Sequence, residues 1–316
     1  MTIFLNEDDV RALLPMGEAI DACEAGFQRL GKGLAVNHPR RRIRTANGTF
    51  QMMTAADLEQ GIHGFKTYSS GSGMIVLLYE SNTGALLAIL QANALGQIRT
   101  GAASGLATKY MSRQNSTKVS VIGSGYQART QLEAISCVRS IDYARVYSRS
   151  QGRRDAFARE MSERLGFDVE PADNPEDCVR DSDIVIAITN SQKPVLLGEW
   201  VTEGMHINAA GGNHWARQEL DEAAVGKCSL IAVDDLEQAR IECGDLLFAE
   251  ASGDIRWGQV QGLADIVANE TLATRSDQSV TLFESQGIAL EDITVAYHIY
   301  CRALQERRVK TIDGLP

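Results

Sequence analysis

An apolar run, Lys118-Val119-Ser120-Val121-Ile122, leads straight into Gly123-Ser124-Gly125-Tyr126-Gln127-Ala128, and residues 128–135 continue as a helix-forming stretch. Few folds accept a strand, a glycine turn and a helix in direct succession; a βαβ unit of a parallel sheet does. Gly123 permits the tight turn, and Gly125 lets the backbone come close to a pyrophosphate. Ala128 stands where a small third residue lets helix and strand pack. The first amides of such a helix have no partner within it, and its dipole favours an anion there. The pattern is a GxGxxA dinucleotide fingerprint, with Tyr126 and Gln127 at its phosphate-facing turn.

The same rhythm repeats downstream. Strand-like runs at 143–148, 167–171, 183–189, 206–211 and 229–234 alternate with helical stretches, which predicts a parallel, doubly wound sheet. Upstream the pattern differs. Met16, Ile20, Cys23, Phe27 and Leu30 recur at three- and four-residue steps, so a helix with one buried stripe is expected up to Gly31. Short β-like runs follow at 40–45, 50–54, 64–68, 74–80 and 86–92, with a hairpin-type turn at 81–84. They predict a mostly antiparallel sheet. A helix over 94–111 carries Gly101, Ala102, Ala103, Gly105 and Ala107, small enough for close packing, and Gln114-Asn115-Ser116 marks a junction. A last amphipathic helix, about 288–308, is long enough to return to the first domain. The expected fold is α/β: a Rossmann doubly wound parallel sheet over 116–288, and a smaller α+β domain from 1–115 with 289–316.

The end of the second strand selects the cofactor. An NAD enzyme places an acid on the ribose hydroxyls about 20 residues beyond the glycines. This chain has Tyr147-Ser148-Arg149-Ser150 there, with Arg153 and Arg154 following. Ser148, Arg149 and Arg153 suit a 2′-phosphate, which arginine grips through two parallel hydrogen bonds, so NADP(H) is expected in preference to NAD(H). The competing reading makes Arg149 and Arg153 solvated residues at a helix start. Thr189, closing the 183–189 run, is a further cofactor candidate, and Ser285 and Gly287 precede the returning helix where they would line the cleft near the nicotinamide.

Bulk properties bound the partners. The 316 residues are 44% hydrophobic and 23% charged, with a formal net charge of −10, so broad attraction to nucleic acid or an anionic membrane is not expected. Cys23, Cys137, Cys178, Cys228, Cys243 and Cys301 form no C-x-x-C pair, which argues for reduced thiols rather than a zinc cage. His38, His63, His206 and His298 give no metal-like spacing, and no metal is expected. The N-terminal stretch carries acids early and lacks a basic region before an apolar one, unlike a signal peptide. No apolar run reaches the ~20 residues that span a bilayer. A soluble, cytoplasmic protein is expected. Trp200, Trp215 and Trp257 read as packing residues rather than ligand platforms.

Three further segments accompany the glycine turn: Gly64-Phe65-Lys66, Ile98-Arg99-Thr100-Gly101-Ala102-Ala103-Ser104, and Gly211-Gly212-Asn213 running into Glu219-Leu220-Asp221. In this order and spacing the chain resembles the ornithine cyclodeaminase/mu-crystallin family over essentially its whole length. The resemblance implies a homodimer whose first domain supplies both the substrate site and the dimer interface. It implies that Lys66 faces the substrate near the nicotinamide. It places the carboxylate-clamping arginine at Arg40 or Arg42, which β alternation puts on one face. Arg99, with Thr100 beside it, would touch the cofactor's phosphates. Arg40, Arg42 and Arg44 also fit an exposed basic edge. Cyclodeaminases of the family carry an aspartate acid/base after the glycine pair, where this chain has Asn213; a neutral amide orients a ligand but takes no proton. Asn213 also fits a helix cap. The 67–73 segment departs from the family pattern as well.

The expected activity is an NAD(P)H-dependent reductase or dehydrogenase of a small α-imino or α-amino acid, with Lys66 and an arginine holding the carboxylate. Two alternatives stand beside it. One is an ornithine-type cyclodeaminase with retained NAD; the other is a non-catalytic, NADPH-dependent binding protein like mu-crystallin.

Overall fold

A computed structural model describes residues 2–273, 276–308 and 310–312. The chain forms two units, one built from residues up to Ala102 together with those from Gly287 on, the other from Ala103–Gln286.

The first unit starts with β1 (Thr2–Leu5) and α1 (Glu7–Leu13). Asn6 caps α1 by accepting the amides of Asp8 and Asp9, and Asp9 reaches back to the Asn6 amide. α2 (Met16–Gly31) begins directly after Pro15 and buries Ile20, Cys23 and Phe27, the stripe read from the sequence. β2 (Ala35–Thr45), β3 (Gly48–Asp57), β4 (Ile62–Ser69), β5 (Ile75–Glu80) and β6 (Leu86–Gln91) then form an antiparallel meander, and α3 (Asn93–Met111) leads into the second unit.

The second unit contains β7 (Lys118–Ile122), α4 (Tyr126–Val138), β8 (Tyr143–Tyr147), α5 (Gln151–Leu165), β9 (Asp168–Pro171), α6 (Pro175–Val179) and β10 (Ile184–Ala187). It continues through β11 (His206–Ala209), α7 (Glu222–Gly226), β12 (Leu230–Val233), α8 (Leu236–Glu242), α9 (Gly244–Ser252), β13 (Val260–Gly262), α10 (Leu263–Ala268) and β14 (Thr281–Glu284). The strands lie in the order β13-β12-β14-β11-β10-β7-β8-β9 with every neighbouring pair parallel. β10, β11, β12 and β14 are buried at every position, as strands covered on both faces must be. The chain leaves β7 toward β8 and β9, then returns to β10 on the other side. That reversal is the topological switch point of a doubly wound sheet, where the strands' carboxyl ends leave a crevice.

The chain finishes in the first unit with α11 (Ala289–Gln305) and β15 (Lys310–Ile312). The sheet there runs β15-β1-β6-β5-β4-β3-β2, with β1 parallel to β6 and the meander antiparallel. α11 packs across β2 to β6, beside α2. The row Met53, Lys66, Val76 and Leu90, in register across β3 to β6, is buried beneath that cover.

Candidate functional site

The glycine turn sits at the switch point, at the carboxyl end of β7. Gly123 has φ +120°, and a Cβ there would come within 2.3 Å of the Ile188 carbonyl oxygen, so only glycine fits. Gly125 is different in kind. It is the N-cap of α4 with an ordinary φ of −79°, and a Cβ would meet no chain atom within 4 Å. Nothing in the chain itself calls for a glycine at 125, and its bare Cα leaves the approach to the first amides of α4 open. No side chain caps α4, and its first turn holds no acid that would oppose an anion. Ala128 is fully buried in the core with Val119 and Val121, as its packing role requires. Tyr126 is exposed and Gln127 half-buried in the same first turn. The donor set fits a dinucleotide pyrophosphate.

At the end of β8, the Ser124 hydroxyl donates to Ser148 Oγ at 2.9 Å, tying the second strand's end to the glycine turn. Arg149 and Arg153 are exposed. Arg154 lies over the Tyr147 ring and pairs with Asp173 at 3.1 Å.

The ends of β10, β11 and β14 carry Thr189, Asn213 and Ser285. Ser285 is buried, and its amide donates to the Ala209 carbonyl at 2.9 Å. Asn213 is half-buried and caps no helix: a turn closed by Arg217 N–H to the His214 carbonyl follows it, and α7 is capped by Asp221 instead. Trp215, in that turn, is 59% exposed and stacks on His214, so it is no core residue. Sequence reasoning missed the group that joins these loops. Glu219 is buried and accepts from the Thr189 amide (2.5 Å), the Thr189 hydroxyl (2.7 Å) and the Gly211 amide (2.7 Å). Beneath it, Asp245 accepts the amides of Glu219 and Leu220. Burial, and then the neighbouring Glu219 carboxylate, push Asp245 up to about 7. Glu284 beside it is also driven well up, by burial and by Asp245.

In the first unit the structure gathers Arg40, Lys66 and Arg99. All are buried, Lys66 to 2% exposure. Lys66 Nζ donates to Asp292 at 2.8 Å, and the same carboxylate accepts from Arg99 Nε at 2.9 Å. Arg99 also donates to Glu291 at 2.7 Å, and Arg40 to the Gly287 carbonyl at 2.9 Å. Thr100 sits on α3 one residue beyond Arg99, its hydroxyl turned back to the Gly96 carbonyl. Desolvation, and then the Arg99 charge, bring Lys66 down to about 8 in spite of Asp292. Burial and the adjacent Asp292 push Glu291 up to about 7 against the pull of Arg99. The cluster thus brings three buried cations together with the carboxylates of Asp292 and Glu291.

Arg40 and Arg42 do share a face. A bulge between His38 and Arg41 sets Arg40 in the row of Met53 and Lys66, while Arg42 pairs with Gln51 one row farther out. Residues 41–47 form an exposed arm, so Arg40 is buried and Arg42 is not.

The profile of the ornithine cyclodeaminase/mu-crystallin family matches residues 1–307. A Delta(1)-pyrroline-2-carboxylate reductase of Bacillus cereus is 36% identical over 233 residues, 73% of this chain and 71% of that protein. Among solved structures, the Thermococcus litoralis Delta(1)-pyrroline-2-carboxylate reductase in complex with NADH and L-proline superposes with a TM-score of 0.93 at 34% identity, over 98% of this chain and all of that one. An archaeal alanine dehydrogenase dimer with bound NAD gives 0.92 at 32% identity, over 99% of both chains. With the family profile spanning nearly the whole chain and relatives above 30% identity covering most of it, the protein belongs to the ornithine cyclodeaminase/mu-crystallin family.

Proposed function

We propose that the chain is an NAD(P)H-dependent reductase of small α-imino acids, able to run in reverse as an α-amino acid dehydrogenase. The observation that carries this is the buried set Arg40, Lys66 and Arg99 against Asp292 and Glu291. Arg40 and Lys66 hold the substrate carboxylate. Arg99, which the family resemblance alone sends to the cofactor's phosphates, is assigned to the same clamp because it shares Asp292 with Lys66. A bound nicotinamide dinucleotide supplies the hydride. The imine nitrogen needs one proton, and Lys66, with a pKa of about 8, is mostly ammonium at neutral pH and gives it. Holding both ends of the C=N bond removes much of the entropic part of the barrier. Asn213 orients and does not act as a base, which counts against a cyclodeaminase.

For the dinucleotide, Gly123, Gly125, Tyr126 and Gln127 are assigned to the pyrophosphate, and Thr189 and Ser285 to the nicotinamide end. Ser148, Arg149 and Arg153 are assigned to a 2′-phosphate, making NADP(H) the preferred form. The face of the meander away from α2 and α11 carries Met52, Phe65, Ile75 and Leu77, half-buried or exposed; we assign it to a second copy of the chain, and a monomer by light scattering refutes that assignment. No helix among the described residues is long and apolar enough to cross a membrane.

The test follows NAD(P)H absorbance with purified protein over Delta(1)-pyrroline-2-carboxylate, its six-membered analogue, and pyruvate with ammonia. Reduction of at least one is expected. Turnover of none, with dinucleotide still bound, overturns the catalytic reading in favour of a binding protein.

A further inference from the structure

Glu219 takes no part in the chemistry above, yet this buried carboxylate joins two strand-end loops through three donors. Its Oε1 accepts both the amide and the hydroxyl of Thr189, after β10, and its Oε2 accepts the amide of Gly211, after β11. The contact is closed on every side. A Cβ at Gly211 would lie 2.1 Å from the Thr189 carbonyl oxygen and 2.5 Å from Glu219 Oε2. The backbone of Glu219 is itself pinned: Asp245 accepts its amide at 2.7 Å, and its carbonyl accepts from Val195 (2.7 Å) and Leu196 (2.9 Å). A buried charge satisfied by backbone amides has one low-energy geometry, because any slip leaves a donor or the carboxylate unpaired.

We propose that Glu219 is a positioning residue that locks the Thr189 loop to the Gly211-Gly212-Asn213 loop, and so sets where the nicotinamide end of the dinucleotide rests. This rests on the assignment of those loops to the nicotinamide. The hydrogen bonds give it a defined chemical signature. Glutamine at 219 offers only one acceptor oxygen, so its NH2 must face either the Thr189 amide or the Gly211 amide, donor against donor. One loop is released, at the end of the site assigned to the nicotinamide.

Calorimetry with two probes separates positioning from general damage, because ADP-ribose lacks the nicotinamide. Wild type, Glu219→Gln, Thr189→Val and Thr189→Ser are titrated with NADH and with ADP-ribose. Glu219→Gln is expected to weaken NADH by about tenfold and leave ADP-ribose within about twofold, the scale of one charge-assisted hydrogen bond. Thr189→Val, which deletes the hydroxyl's bond to Glu219 together with the one it accepts from the Ser191 amide, is expected to shift NADH in the same direction by less, and Thr189→Ser, which keeps both, to restore it. Equal losses for both probes, or unchanged NADH affinity in Glu219→Gln and Thr189→Val, overturn the proposal. Should Glu219→Gln fail to fold, the Thr189 pair decides. Wild type that binds ADP-ribose but gains nothing from the nicotinamide refutes the loop assignment itself, a result distinct from any variant effect.

Discussion

Gly123 and Gly125 sit two residues apart in one turn, and replacing each with alanine separates what the fold needs from what the ligand needs. At Gly123 the backbone has φ +120°, and a Cβ would press to 2.3 Å from the Ile188 carbonyl oxygen and 2.9 Å from its carbon. The unfavourable φ alone costs about 1–3 kcal/mol, and the backbone clash adds to it, so Gly123→Ala should lose roughly 3 kcal/mol or more of stability. At Gly125 the φ of −79° suits alanine, and no chain atom lies within 4 Å of the new Cβ. Alanine is a poorer N-cap by some tenths of a kcal/mol, but it also restricts the unfolded chain by about 0.4–1 kcal/mol, so stability should barely move. Its methyl group occupies the place where a pyrophosphate reaches the uncapped amides of α4. Two amide hydrogen bonds to a charged group are worth about 1.5–3 kcal/mol each, and losing the equivalent of one to two predicts an affinity drop of roughly a hundredfold. Thermal unfolding without ligand, followed by calorimetric titration with NADPH and NADH, checks both variants. Gly125→Ala with wild-type melting and wild-type affinity refutes the placement of the pyrophosphate.

Lys66→Met is expected to reduce imine turnover by at least about a thousandfold while leaving NADPH affinity within about twofold, since the lysine lies on the other unit from the glycine turn; unchanged turnover removes Lys66 from the mechanism. If its ammonium gives the proton, kcat/KM for reduction falls as pH rises through about 8, and Asp292→Asn, which deletes the carboxylate holding that charge, moves the inflection lower; a pH profile flat to pH 10 contradicts this. Replacing Arg149 and Arg153 together with alanine should raise KM for NADPH by about tenfold and leave NADH nearly unchanged, and equal effects on both cofactors assign these arginines to solvent. For Asp245 the folded pKa is raised from 3.8 to about 7, so between those values the native state holds a proton that the unfolded chain has released: its contribution to stability is fully present below about pH 4 and is lost as pH rises through about 7. Glu284→Gln removes the second buried carboxyl that is driven up there, and so its own share of the proton release, and should flatten that decline in denaturant midpoints measured from pH 5 to 9; an unaltered slope excludes the pair as its source.

The second unit was legible because its signals are local. Strands such as Val119 to Ile122 and Ile184 to Ala187 are buried on both faces and read as continuous apolar runs, and the glycine turn lies within a few residues of the strand and helix that confirm it. β1, β13, β14 and β15, of three or four residues each, were not picked out. Lys66 was visible through the motif around it, whereas its partners were not. Glu291 and Asp292 lie in the first turn of α11, where acids ordinarily serve the helix dipole in solvent. The usable hint was their setting: Ile288, Ala289, Leu290 and Ile293 surround them, so the first turn has no polar neighbours to keep it wet. Glu219 stood in one of the quoted segments without a role, because its three donors come from residues 8 and 30 positions away.

Where the buried charges lie follows from what each unit must hold. Sequestering ions costs several kcal/mol apiece, and well-packed apolar side chains in their place are often as stable or more so, so stability alone does not account for either cluster. In the second unit the carboxylate of Glu219 meets only backbone amides and a hydroxyl, and its energy goes into fixing loop geometry. In the first unit Asp292 serves two cations at once, burial and Asp292 push Glu291 toward neutrality, and Arg40 donates to the Gly287 carbonyl. Such a gathering of buried cations is consistent with the proposed role, in which the carboxylate of a small imino acid is held there beside the carbon that takes the hydride.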